Sequence, residues 1–246
     1  MHLNLYLARA GVTSRRKAVA LIKEGRVTVN GSVVRQPYFK VHKEDQVKFD
    51  GQNTTPEEYS YIALNKPAGY TSTLSDRFAA HKIVDLLPES LGRLYPVGRL
   101  DKDSTGLIIL TNDGKFAHRI SHPRFGIEKE YEVDVVPCFN PADSEVMKKG
   151  VIDKGETLSA HQVKIIKNSD SRTVVRITIK EGKKREIKRL FSALGYRVER
   201  LTRLRIGTLI LGSLPMGGYR ALSRKEVQVL LALPLNIPGQ PGKVRI

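Results

Sequence analysis

The 246-residue sequence predicts an α+β protein, and three observations carry that expectation. Strand-like runs at 61–64, 107–110, 129–136, 160–167 and 173–180 alternate with helical patterns. Most of these runs join through turns too short for a crossover helix, so the sheet should be mixed and mainly antiparallel rather than doubly wound. A basic module comes first, followed by a polar stretch, Gly51-Gln-Asn-Thr-Thr-Pro-Glu-Glu58, with the composition of a linker. The expected division is a small domain over 1–52 and a larger one over 59–246.

In the small domain, Leu3–Ala10 reads as a short helix stopped by Gly11. Ser14 caps a second helix, whose apolar positions Ala18, Leu21 and Ile22 keep helical spacing until Gly25. Arg26 to Arg35 alternates as a hairpin turned by Asn30-Gly31, a pair suited to two successive positive-φ positions. A further strand runs from Gln46 to Phe49. In the large domain, the strand at Tyr61–Leu64 closes on Asn65-Lys-Pro-Ala-Gly69. Gly114–Ser121 reads as helix and Lys129–Val136 as an alternating strand. Asn140-Pro141 supplies a cap and a first-turn proline for another helix. The strands at 160–167 and 173–180 form a hairpin, and a helix over Lys184–Leu194 ends at Gly195. Ser223 and Glu226 make a capping box for the last helix, and the Pro/Gly-rich run from Pro234 to Ile246 should be loose.

Composition narrows the function classes. The chain carries 42 Lys and Arg against 25 Asp and Glu, a net charge of +17, which favours a polyanionic partner. No long apolar span, lipidation signal or secretory leader is visible, so the expectation is a cytoplasmic protein without membrane attachment. Cys138 is the only cysteine, which rules out an intrachain disulfide and a cysteine-based metal cage. No phosphate-binding glycine loop occurs, and no cofactor is expected. A monomer is the default state.

The chemistry concentrates in Tyr95-Pro-Val-Gly-Arg-Leu-Asp-Lys-Asp-Ser-Thr-Gly-Leu-Ile-Ile-Leu-Thr-Asn112. It sets Asp101 in a short polar turn ahead of an apolar strand, bracketed by Gly98 and Gly106, with Arg99 two residues before the acid. Asp101 and Asp103 could hold Mg²⁺, but Arg99 and Lys102 ring the loop and further acids are lacking, so no metal site is expected. Glu128, Glu130 and Glu132 could supply a second carboxylate for glycoside-type acid–base work; a solvated strand face accounts for them equally well. His118 and His122 are spaced for a metal on a helix but lack a third ligand.

Three separated motifs, in one order, resemble the pseudouridine synthases that modify ribosomal RNA and carry an S4-like RNA-binding domain. They are Gly98-Arg-Leu-Asp101 with Ser104-Thr-Gly-Leu107, Lys129-Glu-Tyr-Glu-Val133, and Lys180-Glu-Gly-Lys-Lys-Arg-Glu-Ile-Lys-Arg-Leu-Phe191. Gly11-Val-Thr-Ser-Arg-Arg-Lys-Ala18 and Gly25-Arg-Val-Thr-Val-Asn-Gly31 resemble the S4-like part. The likeness implies a synthase catalytic domain that isomerises uridine, with Asp101 as the catalytic carboxylate. It also implies that Tyr131 stacks on the target base and touches Asp101, and that Lys188 pairs with Asp101 and depresses its pKa. Either Leu201 or Leu204 should pack beside the site. Arg99, Arg15, Arg16, Lys17, Lys184, Arg185 and Arg189 are the expected RNA contacts. Lys184 with Lys188, and Arg185 with Arg189, should stack one turn apart on a helix and repel unless an anion lies opposite. Ribosomal RNA is the implied partner, of the large subunit by the 181–189 run, with the small subunit as alternative. A non-catalytic RNA-binding assembly protein and an RNA N-glycoside hydrolase are the competing classes.

Overall fold

The computed structural model of the chain describes residues 1–73, 80–169 and 171–234. The chain divides into two compact units, Met1–Tyr59 with Glu89–Arg93, and Ser60–Pro88 with Leu94–Ile246.

In the first unit, α1 (Leu3–Arg9) and α2 (Arg15–Lys23) precede a four-stranded sheet. Ser14 caps α2, its hydroxyl accepting from the Lys17 amide at 3.2 Å. Strands β1 (Val27–Val29) and β2 (Ser32–Val33) turn through Asn30 and Gly31, at φ of 51° and 83°. Strands β3 (Val47–Phe49) and β4 (Gln52–Thr54) turn the same way through Asp50 and Gly51, at 47° and 80°. The sheet order is β2-β1-β3-β4. The linker expected at 51–58 is thus a hairpin turn and a strand of this unit. Asp-Gly is a hairpin-turn signal as well as a strand end, and polar β4 gave no alternation to decide between them. Leu3, Leu7, Ala18, Ile22, Val27 and Val47 form the unit's core.

The second unit is built on a nine-stranded sheet. In chain order it contains β5 (Tyr61–Lys66), β6 (Tyr95–Val97), β7 (Thr105–Thr111), α3 (Gly114–Ser121) and β8 (Lys129–Val136). Next come α4 (Asp143–Lys149), the small hairpin β9 (Val151–Asp153) and β10 (Glu156–Leu158), β11 (Gln162–Asn168) and β12 (Thr173–Ile179). The unit continues with α5 (Glu186–Ala193), β13 (Arg197–Ile206), β14 (Leu209–Ile210), β15 (Tyr219–Ala221) and α6 (Arg224–Ala232). The main order is β11-β12-β8-β13-β7-β5-β15, with β14 on β13 and β6 on β7. Among the described residues, every strand pairing of this sheet is antiparallel except β13 with β7, where Thr202 faces Thr105 and Arg203 faces Gly106. This is the mixed, mainly antiparallel α+β architecture expected. Phe116 and Ile120 of α3 and Leu230 of α6 pack with Leu107 and Ile109 of β7 in one core. Ser223 and Glu226 form the expected capping box of α6.

Three local expectations change. The helix begun at Asn140-Pro141 starts at Asp143, after a turn in which the Asn140 side chain accepts from the Ala142 amide at 3.1 Å. The β9–β10 hairpin, turned by Lys154 and Gly155 at φ of 53° and 77°, was not foreseen, because three-residue strands show no usable period. Helix α5 starts at Glu186 rather than Lys184, because Arg185 takes a left-handed conformation with φ of 52°. Lys184 and Arg185 therefore stand before the helix and do not stack over Lys188 and Arg189. Asp170 in the 168–172 turn and the tail at 235–246 lie outside the described residues.

Candidate active site

The turn carrying Asp101 is held from below by the 65–72 segment. Lys66, fully buried at the end of β5, donates through Nζ to the carbonyls of Pro67 at 3.0 Å, Lys102 at 3.2 Å and Ser104 at 2.7 Å. The Gly69 amide donates to Lys102 O at 2.8 Å. Ser72 accepts from the Leu100 amide at 3.1 Å and donates to the Leu100 carbonyl at 2.9 Å. Every one of these contacts is to backbone, so they fix the path of residues 100–104 and leave the side chains free to act. Burial pushes the Lys66 ammonium down to about 8, while Asp103 and Asp101 favour its charge.

Asp101 is half-buried, and among the described residues no hydrogen bond or ion pair engages its carboxylate. Lys188 does not pair with it: Lys188 Nζ binds Asp103, two residues on. The turn offers two carboxylates to one ammonium, a point charge that binds one of them tightly and does not bridge both as a guanidinium fork can. Lys188, with Arg185 adding charge, holds the Asp103 carboxyl below the usual carboxylate range.

Tyr131 lies mid-strand in β8, 6 % exposed, opposite Arg203 of β13. The sequence reading missed Arg203, which is 2 % exposed. Its Nε donates to the Leu107 carbonyl of β7 at 2.6 Å, and its Nη1 lies 3.5 Å from the Tyr131 hydroxyl. The expected Tyr131–Asp101 hydrogen bond is absent among the described residues, and the hydroxyl faces the guanidinium instead. Leu201 shares the face of Arg203, is buried, and lies opposite Val133, whereas Leu204 falls at a bulge. Of the two leucines, Leu201 is therefore the one beside this arrangement.

Gly106 brings the strands together. Its φ is +99°, and a Cβ there would lie 2.3 Å from Arg203 O and 2.7 Å from Arg203 N. Gly106 therefore permits a close approach of β7 to the neighbouring strand β13.

Beneath this layer Lys129, at the start of β8, donates to Ile127 O at 3.3 Å and Glu181 O at 3.1 Å. Burial and the nearby Arg203 push it down to about 8. Glu186, also buried, accepts from the Lys183 amide at 3.1 Å, and burial raises its carboxyl.

The expected RNA-contacting side chains separate into two sets. Arg99, Lys184 and Arg185 are exposed. Lys184, Arg185 and Lys188 line a cavity of about 560 Å³ with Lys154 of the β9–β10 turn. Arg189 lines the same cavity with Asp153 and Glu156, but it is spent within the fold: it donates to Asp153 Oδ2 at 2.5 Å, Glu156 Oε2 at 2.6 Å and Asp153 O at 2.9 Å, fastening β9–β10 to α5. Arg15, Arg16 and Lys17 are exposed on α2 of the first unit.

The residues weighed for other chemistries have partners within the fold. Glu128, Glu130 and Glu132 pair with Arg205, Arg176 and Arg200 on the outer strand face, with His161 and Lys180 also on Glu128. His118 and His122 pack on one another and on Phe125, and no cluster of three metal-ligating residues occurs among the described residues. Cys138 donates to Ser169 O at 3.0 Å. No helix among the described residues is long and apolar enough to cross a membrane.

Comparison with known proteins identifies the family. Residues 60–193 match the RNA pseudouridylate synthase family and residues 1–47 match the S4 domain. A protein of Aquifex aeolicus named an uncharacterized RNA pseudouridine synthase is 40% identical over 94% of this chain and 93% of its own length. The ribosomal large subunit pseudouridine synthase B of Bacillus subtilis is 38% identical, covering 92% of this chain and 94% of that protein. The ribosomal small subunit pseudouridine synthase A of Vibrio parahaemolyticus is 36% identical, covering 92% and 98%. A crystal structure of a pseudouridylate synthase superposes with a TM-score of 0.66 at 32% identity, covering 94% of this chain and 99% of that one. A family match over more than half the chain and relatives alike over nearly their full length lead to one conclusion: this chain belongs to the RNA pseudouridine synthases, isomerases acting on RNA, and carries an S4 domain at its N-terminus.

Proposed function

We propose that the protein isomerises a specific uridine of folded large-subunit ribosomal RNA, in the cytoplasm and as a monomer, with Asp101 as the catalytic carboxylate. The observation that carries this reading is the Asp101 turn, whose backbone is pinned by Lys66, Gly69 and Ser72 while the carboxylate has no partner among the described residues. An acid so mounted is positioned before the substrate arrives, which removes a reorganisation cost from the reaction.

Isomerisation breaks the bond between N1 of uracil and C1′ of ribose, rotates the base, and forms a bond from C5 to C1′. The C5 proton leaves and a proton is taken up at N1, so no redox step or energy source is needed. Asp101 either attacks C1′ to form an ester or removes the C2′ proton. The base has to leave its stack, at roughly a few kcal/mol, and stacking on the Tyr131 ring offsets part of that. Lys188 pairs with Asp103 and ties α5 to the turn that carries Asp101. Arg99, Lys184 and Arg185 meet phosphates around the flipped nucleotide. Arg15, Arg16 and Lys17 belong to a separate docking surface on the S4 domain, which reads RNA shape and backbone. The divided basic surface favours a structured RNA over a free nucleoside. The preference for the large subunit rests on the 181–189 run, the named relatives being divided between the two subunits.

Uridine labelled with tritium at C5 tests the reading. Large-subunit rRNA, small-subunit rRNA and bulk tRNA, each from cells lacking the gene, are incubated with the protein and no cofactor. Tritium release from large-subunit rRNA without loss of uracil is the expected result. Free uracil would indicate a hydrolase, and release from small-subunit rRNA alone would transfer the assignment to that subunit.

A further inference from the structure

We propose that Arg203 is a positioning residue for the isomerisation: its buried guanidinium ties the Tyr131 hydroxyl to the strand that leaves the Asp101 turn. This rests on the reading of Asp101 and Tyr131 given above and adds a residue outside the three sequence motifs.

A guanidinium that is 98 % hidden ordinarily has a carboxylate or a full set of acceptors. Arg203 has neither. Among the described residues it forms no ion pair, and its Nη2 is buried with no hydrogen-bond partner. It also sits near two other buried cations, and its charge helps to push both Lys66 and Lys129 down. Such a group is a poor means of stabilising a sheet, since an apolar side chain of similar size would avoid both the unpaired donor and the repulsion.

What the guanidinium does touch is specific. Nε donates at 2.6 Å to the carbonyl of Leu107, two residues beyond Thr105, where β7 emerges from the Asp101 turn. Nη1 faces the Tyr131 oxygen at 3.5 Å, and Cζ lies 5.9 Å from the centre of the ring. The backbone at Arg203 is pressed against Gly106, so the side chain cannot shift by sliding the strand. At 3.5 Å the contact with the phenol is at the long limit of a hydrogen bond, so it sets orientation more than stability. Because the guanidinium only donates, the phenol oxygen accepts, and the phenol's own proton is turned away from Arg203. That leaves the O–H free to reach a carboxylate or a substrate oxygen. One planar fork thus faces the phenol from a fixed point on β7 and biases the direction of its proton.

The test is a double-mutant cycle in the full chain, with single-turnover isomerisation and RNA binding as readouts. R203K keeps the charge but cannot span Leu107 and Tyr131 together. The rate at saturating RNA should fall about 10- to 100-fold, with Kd for RNA unchanged within about twofold. In a Y131F background the same change should cost less than about threefold, because the hydroxyl it acts through is gone. Equal losses in both backgrounds would overturn the proposal. A companion measurement uses NMR of ring-labelled tyrosine. The Tyr131 resonance, identified by its disappearance in Y131F, should move and broaden in R203K while the other eight of the nine tyrosines stay in place. An unmoved Tyr131 signal also overturns the idea, even if Y131F turns over too slowly for the cycle. If R203K does not fold, R203Q replaces it; if neither folds, Arg203 is structural and the proposal fails. Absence of turnover by the unmodified protein on every RNA would instead defeat the functional reading itself.

Discussion

Both units expose basic residues, but among the described residues only the second also buries them. In the first, Arg15, Arg16, Lys17 and Lys23 are exposed, and among the described residues no Lys or Arg of that unit is buried. In the second, Lys66, Lys129 and Arg203 are buried beneath the Asp101 turn and bind backbone carbonyls. An exposed cation acts at a distance and is screened by salt. A buried one acts over a hydrogen bond, is little affected by salt, and holds a neighbour in place. A net charge of +17 therefore overstates the RNA-facing charge, because part of it is internal scaffolding.

The sharpest break between holding RNA and changing it should come from Asp101→Asn. Turnover is expected to fall by roughly a thousandfold or more, while RNA affinity stays within about threefold. Measurable single-turnover product at a near-normal rate would remove Asp101 from the chemistry. Next in size is Gly106→Ala, which places a Cβ 2.3 Å from Arg203 O in a backbone conformation that L side chains rarely adopt. A loss of about 3 kcal/mol is expected, read as a fall in Tm of about 10 °C. A variant as stable as the parent would mean that β7 and β13 are not locked together there.

The exposed set is tested by replacing Arg15, Arg16 and Lys17 with Ala. Stability should not change, and the slope of log affinity against log salt should lessen by about 2. An unchanged slope would remove α2 from the RNA-facing surface. The smallest effect is expected from Lys129→Met. The Lys129 pKa is about 8 in the fold, below its ordinary 10.5, so between those values the unfolded chain binds more protons than the folded one. Stability from this group therefore rises with pH across that window, by at most about 1.4 kcal/mol per pH unit. Urea unfolding at pH 7.5, 9 and 10 should show that rise in the parent protein minus variant difference, and a flat difference would show that Lys129 titrates normally.

The legible parts were those with local signals. Asn30-Gly31, the Ser14 cap, the Ser223–Glu226 box and the eight-residue alternation of β8 each encode their element within a few residues. The Asp101 turn was visible for the same reason. Other features depend on partners distant in sequence. Arg203 reads like any RNA-facing arginine until β13 is placed between β8 and β7. Arg189 looked like an RNA contact because nothing in α5 announces the β9–β10 hairpin that it fastens. Lys66 reads as part of the turn that closes a strand, and its burial follows only from the carbonyls of a loop 36 and 38 residues away. Long basic side chains have two uses that look identical in sequence, and only burial separates them.

The parallel pairing of β13 with β7 bears on the order in which the molecule can be completed. Strand β13 lies at the middle of the sheet but arrives late in the chain, at Arg197–Ile206. As the polypeptide leaves the ribosome, β5 and β7 can already form one antiparallel pair, and β8, β11 and β12 can form another group. The two groups share no hydrogen-bonded edge until the late strand enters between them. A nascent chain ending before Arg197 therefore holds the Asp101 turn and Tyr131 on separate pieces of sheet, and closing that gap carries the entropy of a long-range contact. The strands of the first unit are all present in the chain well before the strand that joins the two halves of the second unit's sheet.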